Sequence, residues 1–115
     1  MVMIKKEHFE RIGGFDETMQ VCEDYDLWLR ILQEGAIELV PQKLVNKYGG
    51  ADDQLSQKHK FLDRWHVRSL FKHVENPLAK ETIRSMCEGL QKAALKYGDD
   101  KLLDECAVWM LRLEE

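Results

Sequence analysis

Five carboxylates crowd one short stretch of this chain: Asp16 and Glu17, then Glu23, Asp24 and Asp26. Phe15, Tyr25 and Trp28 are interleaved with them, and Arg30 follows. A carboxylate set beside apolar surface is partly desolvated and becomes a better proton acceptor, so the chemistry on offer is general-base work on a hydroxyl. The spacing predicts a helix over about 23–34, with its acids in the first turn, where unpaired N–H groups and the macrodipole favour negative charge. On that helix Asp24 shares a face with Leu27, Trp28 and Ile31, which places it at the lip of a surface expected to be buried. Asp26 and Arg30 form an i,i+4 pair, worth about 0.3 kcal/mol if exposed. An acid-rich helix start needs no chemistry to explain it, and the stretch becomes informative only with its surroundings.

Those surroundings carry a resemblance. The run Met3-Ile4-Lys5-Lys6, Phe9-Glu10, Ile12-Gly13-Gly14-Phe15-Asp16-Glu17, followed by Glu23-Asp24-Tyr25-Asp26-Leu27-Trp28-Leu29-Arg30, resembles the second half of the catalytic domain of family 2 glycosyltransferases. It continues through Leu39-Val40-Pro41 and Tyr48-Gly49-Gly50 to Gln54-Leu55-Ser56, covering about the first half of the chain. The resemblance implies a GT-A fold and transfer of a sugar, with inversion, from a nucleotide-diphosphate sugar to an acceptor hydroxyl. It makes Asp24 the position of the general base and Glu23 its support. It suggests Asp26, Arg30, Gln54 and Trp65 as substrate contacts, Trp65 by stacking on a sugar.

Two departures shape the expectation. The family's nucleotide-binding half lies N-terminal to this motif and brings an Asp-x-Asp metal site, whereas only a few residues precede Lys5 here and no glycine-rich phosphate loop is present. Asp24-Tyr25-Asp26 spells Asp-x-Asp, but on a helix residues two apart diverge by about 200° and do not share one ion. The chain is therefore expected to be the C-terminal segment of such an enzyme, lacking the nucleotide-binding half and inactive alone. No cofactor is expected in this chain, and a divalent Mg or Mn only with the missing half. Processive members carry Gln-x-x-Arg-Trp; here Arg64-Trp65 follows Phe61-Leu62-Asp63 and the nearest upstream glutamine is Gln57, which reads as a non-processive pattern.

Composition bounds the rest. At 115 residues, 44% hydrophobic and 33% charged, the chain has room for a core but is small for a free-standing two-substrate enzyme. No apolar run approaches the roughly 20 residues of a membrane span. The apolar start is followed at once by Lys5-Lys6-Glu7, the wrong order for a signal peptide. Cys22, Cys87 and Cys106 are odd in number and widely spaced, which fits reduced thiols and a cytoplasmic setting. The net charge of −4 is uneven: 6 Lys/Arg face 11 Asp/Glu over residues 1–57, and 11 face 10 over 58–115. Without a basic excess, nucleic acid is not an expected partner. Lys60, Arg64, Arg68 and Lys72 recur every four residues, so a continuous helix carries a basic stripe suited to diphosphate or to anionic lipid at the inner face of a membrane. A solvated helix face explains that stripe equally simply. His59, Asp63 and His66 make a weak metal set.

The elements that must position these residues follow from periodicity. Residues 1–4 fit a strand and 5–12 a brief helix ended by Gly13-Gly14. Residues 36–40 and 44–48 read as short strands around Pro41-Gln42-Lys43, and 48–56 as a loop. Ser56 is a candidate cap for one long or two short helices over 57–75, broken at Asn76-Pro77. Residues 78–97 carry the stripe Ile83, Met86, Cys87, Leu90, Ala94 and Tyr97, and Gly98 ends them. The last helix starts at Asp99-Asp100 with Leu102, Leu103, Cys106, Ala107, Met110 and Leu113 inward. The expected fold is α+β and predominantly helical: a two- or three-stranded β element with a C-terminal helical hairpin, divided as a partial catalytic segment over 1–57 and a helical appendage over 58–115. An orphaned half-domain exposes the edge its missing strands once covered. The alternative function is thus a non-enzymatic interaction module whose partner is a second copy or the missing half.

Overall fold

The computed structural model describes residues 2–48 and 61–115. Its elements are α1 (Lys6–Arg11), α2 (Glu23–Leu32), α3 (Asp63–Phe71), α4 (Pro77–Tyr97) and α5 (Asp100–Leu113). The chain divides into two compact units, with the boundary between residues 60 and 61. No helix among the described residues is long and apolar enough to cross a membrane.

The fold class needs correcting. The described residues contain helices and no strand, so the expected β element over 1–4, 36–40 and 44–48 is not formed. The reason is partnership. A strand satisfies its N–H and C=O groups on a neighbour, and two short apolar runs without a sheet to join are marginal in water. Residues 36–48 accordingly lie as irregular chain with Leu39 and Tyr48 88% and 85% exposed. The expected loop over 49–56, the Ser56 cap and the first residues of the 57–75 helix lie outside the described residues.

In the first unit α1 ends at two glycines in the left-handed region, Gly13 (φ 96°) and Gly14 (φ 67°). Gly14 N–H donates to the Phe9 carbonyl at 2.9 Å. A Cβ on Gly14 would stand 3.3 Å from the Phe9 ring, so conformation and space both call for glycine there. Phe9 also meets Phe15 edge-on at 5.3 Å, which holds the far side of the turn. Val21, Leu27 and Ile31 form the buried apolar set.

The second unit is a three-helix assembly in which α4 packs on both α3 and α5. Its boundaries follow the expected punctuation. Asn76 caps α4 by accepting from Leu78 N–H at 2.9 Å, with Pro77 in the first turn. Gly98 (φ 68°) closes α4, and Asp99 caps α5 by accepting from Leu102 N–H at 3.0 Å. The buried face of α4 is Ala79, Ile83, Cys87, Leu90 and Ala94, and that of α5 is Leu102, Cys106, Trp109 and Leu113. Val67 and Leu70 complete the core from α3. Tyr97 and Ala107, expected inward, are exposed, while Ala79 takes an inward place left off the expected stripe and Trp109 is buried as a core anchor.

All three cysteines are free, and Cys87 and Cys106 are buried. Burial, reinforced by the neighbouring Cys106 thiol, pushes the Cys87 thiol up to about 11. Burial, with Glu105 beside it, raises Cys106 as well. Unfolded thiols release their protons from about pH 8.5, whereas folded Cys87 keeps its own to about 11. The stabilising contribution of the Cys87 thiol is therefore fully present below pH about 8.5 and is lost as the pH climbs to about 11, at up to about 1.4 kcal/mol per pH unit. Urea midpoints measured across that range for the wild type and Cys87→Ala are expected to converge as the pH rises. Parallel curves contradict the burial of that thiol.

Candidate functional site

The acidic stretch folds around one arginine. Arg30 lies on the third turn of α2 and reaches three acceptors at once. Its Nε donates to Asp26 Oδ2 at 3.1 Å, Nη1 to the Ile12 carbonyl at 3.0 Å, and Nη2 to the Gly14 carbonyl at 2.6 Å. Those carbonyls belong to the glycine turn after α1, whose left-handed residues point them back at α2. Asp26 is fully buried and the Arg30 side chain is 21% exposed. The planar guanidinium suits this work, because a fixed fork of donors can grip a carboxylate and two carbonyls together. The pair is thus a buried structural joint. Asp26 and Arg30 thus form the expected i,i+4 pair, and it lies buried in the unit.

The joint sets the rotation of α2 about its axis. With Asp26, Leu27 and Ile31 directed into the unit, Asp24 falls on the exposed side and Glu23 is half-buried. Asp24 and Asp26, two apart on one helix, face different environments as the helix geometry requires. One Asp24 oxygen accepts from Tyr25 N–H at 2.7 Å. The helix starts from Cys22 in the left-handed conformation (φ 59°), a backbone state that costs a non-glycine residue about 1–2 kcal/mol. Strain of that size immediately before Glu23 and Asp24 is held by the joint behind them. Upstream, Asp16 accepts from both Thr18 N–H at 2.9 Å and Thr18 Oγ1 at 2.6 Å, so this carboxylate is spent on shaping the loop. Across the back of the unit, Arg11 grips Glu34 at 3.0 and 2.8 Å, with His8 at 3.2 Å from the same carboxylate. The Arg11 contact, strongest of these, holds the Glu34 carboxyl below its ordinary value.

Other expected site residues are dispersed. Gln54, His59 and Lys60 lie outside the described residues. Trp65 belongs to the second unit, half-buried under the Arg68 guanidinium at 4.6 Å. The basic stripe is divided: Arg64 is taken by Glu105 at 2.6 and 3.2 Å, and Arg68 lines an open groove. Asp63 and His66 pair with each other at 3.1 Å, and no group of three or more potential metal ligands forms among the described residues. Sequence reasoning missed Arg112, which joins Arg68 and Lys72 from another helix. No local spacing links positions so far apart in the chain.

Comparison with known proteins finds no family model, no curated protein and no solved structure that matches this chain.

Proposed function

We propose that the first unit carries the acceptor side of a sugar transferase that uses a nucleotide-diphosphate donor, with Asp24 as general base and Glu23 beside it. The observation that supports this reading is the Arg30 joint. It ties the Gly-Gly-Phe-Asp-Glu turn and the Glu-Asp-x-Asp helix into one rigid piece and leaves Asp24 exposed at its rim. In the reaction the acceptor hydroxyl gives its proton to the Asp24 carboxylate as its oxygen attacks the anomeric carbon. The bond from that carbon to the diphosphate breaks, and the electron pair leaves with the nucleotide diphosphate. General-base assistance of this kind is worth about 10²–10⁴ in rate. Donor binding, and the Mg or Mn that would neutralise the leaving diphosphate, are assigned to a nucleotide-binding half outside these 115 residues.

Acceptor binding is the testable part. Titration of the ¹⁵N-labelled chain with a panel of mono- and oligosaccharides is expected to shift the amides of Glu23, Asp24 and Tyr25 saturably, and Asp24→Asn is expected to weaken that response. Shifts that fall elsewhere, or none with any saccharide, overturn the reading.

A second reading, a non-enzymatic interaction module, is favoured by residues 36–48. Ile37, Leu39, Val40, Leu44, Val45 and Tyr48 are all exposed there, on chain that pairs with no strand among the described residues. Light scattering distinguishes it: a monomer mass that persists at high concentration counts against self-association.

A further inference from the structure

Away from the acidic stretch, in the second unit, Arg68, Phe71 and Lys72 of α3 and Trp109 and Arg112 of α5 line a groove of about 280 Å³. Among the described residues, three of the five that line it are cations and none is acidic. The arginines are held in place by aromatic rings. Arg68 lies 4.6 Å over Trp65, and Arg112 lies 4.4 Å over Phe71. Stacking of this kind immobilises the guanidinium plane while its N–H edges stay available, so less entropy is lost when an anion arrives. Neither Arg68 nor Arg112 is paired with a carboxylate among the described residues. The acids on the same helices are occupied or placed elsewhere. Glu105 is bound to Arg64 and Asp63 to His66, while Glu75, Asp104, Glu114 and Glu115 are absent from the lining. A chain with a net charge of −4 thus gathers three cations around two aromatic walls.

We infer that this groove binds a phosphate ester, its phosphate or diphosphate held between Arg68 and Arg112 and the adjoining apolar part of the ester lying on Phe71 and Trp109. Two guanidinium forks recognise phosphate oxygens with two parallel bonds each. This chemistry is shared by the headgroup of an anionic lipid and by a soluble phosphorylated metabolite, and the site stands independently of any role for Asp24.

The test uses the full chain and two probes: inorganic pyrophosphate by calorimetry at about 0.15 M salt, and phosphatidylcholine vesicles with and without phosphatidic acid by co-sedimentation. Saturable binding of pyrophosphate, or of the acidic vesicles alone, is expected. The double change Arg68→Glu with Arg112→Glu is expected to weaken it by about tenfold or more. Arg84→Glu, on an exposed position of α4 outside the groove, is expected to leave it unchanged. Pyrophosphate binding identifies a soluble source, and binding to acidic vesicles without it identifies a lipid headgroup. Amide shifts of the unmutated chain, expected at Arg68, Lys72 and Arg112, read the same site without relying on the folding of a variant. Failure of both probes to bind, shifts away from the groove, or equal loss in Arg84→Glu overturns the inference.

Discussion

Arg30→Ala will destabilise the first unit by about 3 kcal/mol or more. The variant strips the guanidinium from a fully buried Asp26 carboxylate and at the same time releases the Ile12 and Gly14 carbonyls. Breaking a buried pair from one side costs far more than the pair contributes, because the remaining charge stays out of water. Arg30→Lys will not restore the loss, since one ammonium cannot span three acceptors fixed by a planar fork. Trp28, half-buried on the same helix, is the local probe, and its fluorescence midpoint in urea reads the effect. The control is Arg11→Ala, which removes an exposed contact to Glu34 and is expected to move the midpoint little. Equal shifts in the two variants would show that Arg30 is an ordinary surface residue.

The second large effect falls in the other unit. Ile83 is 0% exposed on α4, the helix that packs against both α3 and α5. Ile83→Ala deletes three carbons from a close-packed site and leaves a cavity, with an expected cost of about 3 kcal/mol. Trp109, 7% exposed in the same core, reports the transition. Leu95→Ala, on the same helix but 71% exposed, is expected to change stability by no more than about 0.5 kcal/mol. A comparable loss at Leu95 would mean that α4 presents a different face to its neighbours.

The two halves of the chain were unequally legible. Over 76–113 each signal is local and each agrees with the next. Asn76-Pro77 opens a helix, Gly98 and Asp99 end one and start another, and apolar residues recur at three and four. The structure follows them, with shifts at stripe edges such as Tyr97 and Ala107. Over 1–48 the decisive facts are not local. Whether residues 36–48 form strands depends on a partner sheet, which composition cannot supply. Which of two aspartates is buried depends on the angle at which α2 is held. That angle is set by contacts from Arg30 to a turn sixteen and eighteen residues earlier. Periodicity read from Leu27, Trp28 and Ile31 puts Asp24 at the lip of the buried face, whereas in the structure Asp24 is exposed and Asp26 is the buried acid. The phosphate-binding groove was half visible, as Arg68 and Lys72 one turn apart, and its third cation emerged only with the packing of α5.

The tight hairpin between α4 and α5 also bears on the order in which the second unit assembles. Only Gly98 and Asp99 separate the two helices, so closing that turn confines very little chain. Contacts between near neighbours in sequence form quickly, and domains rich in them fold in microseconds to milliseconds. The hairpin is then the natural nucleus, zipping from the turn outward and offering α3 a finished apolar face to land on.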